Sequence, residues 1–497
     1  MVPSPLWHAA PRPYQRHTQV KITRNAARTH RLRENPCGFY AKKTNDRSHK
    51  ALTGDYDRVG IAKPLTRYHS PTICKEFDNM TPRMRHRMLQ LTPVAAVAAL
   101  AAVSAHAQQN VQLYGLVDAG ITHVTGLRQG SVTQLASGIM EGSRWGLKGT
   151  EDLGGGYKAI FTLESRFEVD TGSLSNRPIS GTQVPDRIAT PAALNLPAAL
   201  APVVNQVNAN IANGTLGVNL NNNQFDRQAY VGLITPVGAV LAGRMYTPDY
   251  EVSAEFDAMQ TQSALAAGQL AAIPAGFDIR VNNALQYRVQ TGGITASLMY
   301  GFGETGNSSS NSRFVGLMGM YKGDGYAVGM GYNTRNNEVG QKSLTTTTVG
   351  GWVNVGPGKL SAVYSRHKDD HPSNLSTLAA TLTAGGVPAP AAAAVQAAYM
   401  NALKQRFDLF NIGYRITSGP HTVTVAYTNR NEKTSYDADA RSYGVAYTYA
   451  LSKRTDLNAV VVRFDNRKNG QAAPGGNGYL GGVTRSAGTD STGIALG

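Results

Sequence analysis

The sequence predicts an all-β chain, a 16-stranded antiparallel transmembrane β-barrel, and three observations predict it. Beyond Gln108 the chain is built of runs of about ten residues that alternate in polarity, the period-2 signature of strands. Seven short sequences rich in Gly, Pro, Asp and Ser punctuate these runs, each with the backbone freedom of a tight reversal. Between successive tight turns lie two runs joined by a longer polar loop, and such alternation of short and long connections marks barrels with short periplasmic turns and long extracellular loops. Seven short turns with both chain ends on one side give eight hairpins, hence 16 strands, and a barrel that wide keeps an aqueous lumen.

The first 107 residues read differently. Residues 1–90 hold 18 Lys and Arg against 6 Asp and Glu, so of the net charge of +16 only about +4 belongs to the rest of the chain. That balance excludes a phosphate-binding surface, and no nucleic-acid partner is expected. Cys37 and Cys74 are the only cysteines, so the chain beyond them has neither a disulfide framework nor a thiolate metal site. A basic segment, Thr81–Gln90, precedes an apolar one, Leu91–Ser104, and then Ala105-His106-Ala107, which is the layout of a signal peptide cleaved between Ala107 and Gln108. Residues 1–79 are expected to be an over-extended leader, 80–107 the signal peptide and 108–497 the barrel.

The seven turns are Glu151–Gly156, Thr235–Ala239, Thr291–Gly293, Lys322–Gly325, Val355–Gly358, Thr417–Pro420 and Ala450–Lys453. The run Lys158–Glu168 shows the two faces: Ala159, Phe161, Leu163 and Phe167 on one, Lys158, Glu164, Arg166 and Glu168 on the other. Tyr114, Tyr157, Tyr300, Tyr321, Tyr414, Tyr447 and Tyr449 stand near strand ends, as in an aromatic girdle. Two connections, Asp170–Asn223 and Asp370–Lys404, are long; the second can hold a short helix, and both read as extracellular decoration.

Five motifs then occur in order: VQLYGLVDAG (Val111–Gly120), GSRWGLKGTEDLGGGYKAIFTLES (Gly142–Ser165), FDRQAYVGL (Phe225–Leu233), GRMYTP (Gly243–Pro248) and RVNNALQY (Arg280–Tyr287). Together they resemble the trimeric general-diffusion porins of Gram-negative outer membranes, in particular the anion-preferring branch. The resemblance implies a homotrimer in outer-membrane lipid and lipopolysaccharide that passes small hydrophilic solutes and anions and needs no cofactor. It implies that the third long loop folds inward, from about Thr247 to Gly276. A wall cluster of Arg144, Arg244 and Arg280 would then face Asp249, Glu251, Glu255 and Asp257 on that loop. Guanidinium groups suit such a wall because they stay charged, planar and weakly hydrated. Lys148, Arg166 and Asp118 are second-rank lumen residues, and Arg227, in phase with Ala229, Val231 and Leu233, is left out. Family members end in an aromatic residue, whereas this sequence ends STGIALG (Ser491–Gly497), so the last strand is expected to be short and to pair poorly with the first.

Catalysis has little support. Gly301–Gly306 fits a dinucleotide fingerprint by letter but leads into Asn/Ser-rich loop instead of a helix. His123, His367 and His421 are scattered singly, and neither a metal-spaced His pair nor a nucleophile elbow occurs. The competing readings are a substrate-specific outer-membrane channel and a non-conducting barrel acting as a surface adhesin.

Overall fold

The computed structural model describes residues 110–271, 277–306, 308–475 and 481–497; the leader, Ala107 and Gln108 lie outside them. The strands are β1 (Asn110–Leu116), β2 (Ala119–Leu127), β3 (Gly130–Ser137), β4 (Arg144–Gly154), β5 (Tyr157–Arg166), β6 (Gln228–Thr235), β7 (Gly238–Tyr246), β8 (Arg280–Thr291), β9 (Ile294–Gly301), β10 (Phe314–Lys322), β11 (Tyr326–Asn336), β12 (Lys342–Val355), β13 (Gly358–Asp369), β14 (Gln405–Ser418), β15 (His421–Glu432), β16 (Ala440–Ala450), β17 (Asp456–Asn466) and β18 (Ser491–Leu496). The helices of the connections are α1 (Ala201–Thr215), α2 (Pro248–Phe256), α3 (Leu378–Ala384) and α4 (Ala389–Ala402), besides short helical turns.

The strands form one 18-stranded antiparallel sheet. β1 pairs with β4 and β2 with β3, so each of the first two crossings is a single strand interrupted once, and the segments make the 16 crossings that the turns predict. Asp118 staples the interruption: its carboxylate accepts the N–H groups of Met140 and Glu141, both at 2.7 Å, and its own N–H donates to Ser143 Oγ. From β4 the ladder runs neighbour to neighbour to β18, and β18 pairs with β2 through Gly493–Val124, Ile494–His123, Ala495–Thr122 and Leu496–Ile121. The last strand thus reaches the first, over four positions.

Apolar side chains face outward and polar ones inward, the reverse of a soluble sandwich. Leu360, Tyr414, Val425, Val445, Val461 and Ile494 stand directly opposite one another on successive strands from β13 to β18. The four aliphatic residues that end that row are 39–48% exposed, while the inward Asn411, Thr428 and Ser442 are 0% exposed. Water would not tolerate that outer face, and lipid requires it. The girdle holds in part. Tyr157 and Tyr321 are exposed beside short turns, and the Tyr414 hydroxyl donates to the Val355 carbonyl of the neighbouring turn. Tyr114 departs from it: its hydroxyl points inward and donates to Glu164 Oε2 at 3.0 Å.

The connection after β7 folds into the barrel. Thr247 is extended, Pro248 opens α2, and Asp249 and Glu251 sit in its first turn, where the helix dipole favours carboxylates. Val252 and Phe256, one turn apart, are fully buried against Met318, Ala327 and Val363 of the inner wall. Glycines make room for this. A Cβ on Gly331 would stand 2.6 Å from the Asp249 Cα, and one on Gly350 equally close to the Phe256 Cβ. Past α2, Asp257 accepts N–H groups from Met259, Thr261 and Ala267, which folds the following segment onto the inner faces of β14 to β18.

Two outcomes follow. Val445→Arg, at the middle of the outward row, should cost about 2–4 kcal/mol of stability in a bilayer, read as a lower urea midpoint of folding into lipid vesicles. Asp249 is buried between α2 and β12, and burial pushes its carboxyl up to about 6 despite the Thr346 and Thr348 hydroxyls beside it. Its folded value lies above the unfolded one, so stability should fall as pH rises from the ordinary carboxyl range through about 6. Asp249→Asn should flatten that fall in thermal unfolding followed between pH 4 and about 7.

Candidate functional site

The infolded connection packs along the inner wall from β9 to β18 and meets the wall of β4 to β8 through single side chains, Glu251 on Arg288 and Tyr250 on Tyr246. On that less covered wall, arginines gather at the strand ends farthest from the short turns. Arg144 opens β4 and stands directly opposite Arg166, which closes β5. Arg227 immediately precedes β6, Arg244 lies near the end of β7, and Arg280 opens β8 opposite Tyr246. Short turns fix one end of each hairpin, so the opposite ends of consecutive strands rise to one level and carry five guanidinium groups along one arc.

Their partners divide them into two kinds. Arg144 pairs with Glu141 at 2.8 Å, Arg166 with Asp226 at 3.0 Å and Glu168 at 3.2 Å, and Arg227 with Glu164 at 2.7 Å. Arg244 donates to the Asp226 carbonyl and to Asn282 Oδ1, both at 2.6 Å, and Arg280 donates to the Tyr246 hydroxyl at 2.8 Å while lying 4.4 Å above its ring. Among the described residues these two form no ion pair. The wall supplies its own carboxylates, and Glu164 lies within electrostatic reach of Arg227, Arg144 and Arg280 together.

Arg144, Arg244 and Arg280 lie on neighbouring strand ends, and among the described residues none of the four loop acids forms an ion pair with them. Glu251 reaches an arginine, but it is Arg288, at 2.6 Å. Glu255 accepts from Trp352 Nε1 at 2.9 Å, in a group where the Lys322 and Lys359 ammoniums lie over the Trp352 ring. Asp249 and Asp257 are buried: the Asp249 N–H donates to Asn333 of the wall, and the Asp257 carboxylate ties the loop to itself. From the loop, Tyr250 stacks on Tyr246 with centroids 5.4 Å apart, and Gln262 donates to Glu141. Of the second-rank residues, Arg166 belongs to the cluster, Lys148 is exposed with its ammonium 5.4 Å from the Tyr114 ring, and Asp118 staples the first hairpin.

Arg227 corrects the sequence reading. Parity with Ala229 does not extend to it, because β6 begins at Gln228 and one step before it the chain is not yet in the strand's phase; Arg227 is buried, with its guanidinium on Glu164 and on the Tyr246 hydroxyl. Arg244 shows the same limit from the other side. In phase with the outward Val240 it would face lipid, yet Gly243 at φ 135° lies where the β7–β8 register shifts, and the bulge re-aims the guanidinium to Asn282. The motif FDRQAYVGL contained the signal for Asp226 and Arg227, an adjacent acid and base at a strand entrance.

The chain matches the family described as Gram-negative porin over residues 94–469. It is similar to outer membrane porin protein 32 of Delftia acidovorans, with 26% identity over 428 residues, 81% of this chain and 97% of that one. A shorter match, 40% identical over 75 residues, covers 14% of this chain and 23% of the major outer membrane protein P.IB of Neisseria meningitidis serogroup B. Among solved structures, the anion-selective porin from Comamonas acidovorans shares the fold with a TM-score of 0.57 at 22% identity, covering 78% of this chain and 98% of that one. With a family match across most of the chain, an inside-out antiparallel barrel and an inward-folded loop facing a charged wall, this protein belongs to the Gram-negative porins, the channel proteins of the outer membrane.

Proposed function

We propose that this porin passes small hydrophilic solutes by diffusion, without catalysis, and favours anions through Arg244 and Arg280, with Arg144, Arg166 and Arg227 holding the wall around them. The observation that carries this is the pairing pattern: three arginines are matched to carboxylates, whereas Arg244 and Arg280 are held only by neutral acceptors and a ring. A guanidinium so held has a fixed position and an uncompensated charge, which attracts an anion without titrating at any physiological pH. The similar porin from Comamonas acidovorans is described as anion-selective, which agrees with this reading. Of the loop acids, Glu251 acts at the constriction through Arg288, and Asp249, Glu255 and Asp257 hold the loop in place.

We further propose a homotrimer embedded in outer-membrane lipid with lipopolysaccharide on its outer side. The outward apolar row gives lipid contact throughout, and a cyclic heterologous contact buries part of it between copies.

Planar-bilayer recording across a salt gradient tests the selectivity, and the reversal potential should move toward that of chloride. Each such charge about 8 Å from a passing ion is worth roughly 0.5 kcal/mol even at water's dielectric constant, so removing both should lower anion permeability about fivefold and the anion-to-cation ratio further, because the same charges repel cations. Arg244→Ala with Arg280→Ala is therefore expected to bring the ratio close to unity while stepwise conductance persists. A wild-type reversal toward the cation potential would refute the assignment. Trimerisation is checked by unheated electrophoresis after cross-linking in vesicles; a band at the monomer position alone would refute it.

A further inference from the structure

The two long outer connections are rooted on opposite sides of the ring. The first, 167–227, joins the third and fourth crossings, β5 and β6; the second, 370–404, joins the eleventh and twelfth, β13 and β14. Eight crossings separate them either way round, roughly 30 Å across the mouth of a barrel with strands about 4.8 Å apart and tilted. Their tips nevertheless share one apolar core, in which Val204 and Val207 of α1 are buried with Val395 and Tyr399 of α4. Tyr399 is 0% exposed, and its hydroxyl reaches Asn208 Oδ1 at 2.8 Å and the Val204 carbonyl at 3.2 Å.

The first connection crosses within the mouth, not above the rim. Ile179 packs on Val124 and Leu127 of β2, and Arg187 lies 3.7 Å from Glu432, a buried residue at the outer end of β15. Further ties run to the other outer connections: Arg128 pairs with Asp186, and Gln471 accepts the Asp186 N–H at 2.8 Å. The second connection is held in turn by the β11–β12 loop, where Glu338 accepts N–H groups of Asn374 and Ser376.

We propose that the two connections form a fixed bar across the outer mouth, clasped at Tyr399, which acts as a second size filter upstream of the arginine constriction. The bar covers the half of the mouth above β14 to β18 and β2, so a solute reaches the constriction through the remaining sector. A mobile ornament would have no buried core and no ties to neighbouring loops; this segment has both. The inference rests on the diffusion-channel reading given above. It predicts discrimination by size that is independent of charge, because α1 and α4 carry no acidic or basic residue.

Liposome swelling with neutral sugars from mono- to tetrasaccharide, together with the reversal potential, tests it on the full chain and two variants. One is Tyr399→Ala, and the other replaces residues 378–402 by a short Gly/Ser segment. Tri- and tetrasaccharide rates are expected to rise several-fold in both variants, with the monosaccharide rate and the reversal potential unchanged. Wild-type rates for every sugar in folded, heat-modifiable variants would overturn the filter and leave the channel reading intact. Failure of both variants to fold would make the bar a part of barrel stability and overturn it too. No swelling with any sugar in the wild type would remove the channel reading itself, and the filter with it.

Discussion

Inside a bilayer there is no water to satisfy a backbone N–H or C=O, and an unsatisfied group there costs several kcal/mol. Every other feature of this protein stands on the ladder that meets this demand. From β4 to β18 each strand finds a partner on both edges, and β18 returns to β2. Once the ladder is given, side chains must divide between lipid and lumen with period 2. The valine and isoleucine row on β15 to β18 and the buried Asn411, Thr428 and Ser442 are the two sides of that division.

A ring of 16 crossings is too wide for its own side chains to fill, so what occupies the lumen decides what passes. Here one connection does most of the filling. It lies flat because the inner wall offers glycines where α2 approaches, and because Val252 and Phe256 meet an apolar patch of that wall at Met318, Ala327 and Val363. The loop lies mainly against β9 to β18, and the arginine cluster stands on the less covered wall of β4 to β8.

Charge on that wall is organised by pairing. Arg144, Arg166 and Arg227 are neutralised by Glu141, Asp226, Glu168 and Glu164, which holds a dense cluster of guanidiniums together without prohibitive repulsion. Arg244 and Arg280 are positioned by uncharged groups and keep their field. In the proposed reading, such a wall separates two tasks, holding the cluster together and acting on the ion, and gives them to different arginines on adjacent strands.

The sequence by itself determined the class and the number of crossings. Turn chemistry at seven places and alternation along the runs are local properties, so no tertiary information was needed to count hairpins, while Arg144, Arg244 and Arg280 came from the family resemblance of the motifs they sit in. Three things were decided only by the folded chain. Parity fails at strand ends and bulges, which is why phase with Ala229 leaves Arg227 out of the wall and why Arg244 turns inward only through the irregularity at Gly243. The acids of the infolded loop sort into Glu251 on Arg288, Glu255 on Trp352, and Asp249 and Asp257 in the loop's seat, because a helix laid against a wall gives each of its faces a different environment. The two long connections look like independent decoration along the chain, and only closure of the ring brings Val204 and Tyr399, nearly two hundred residues apart, into one core. Long-range contacts of this kind depend on where the ring places its loops, and no local pattern carries that information.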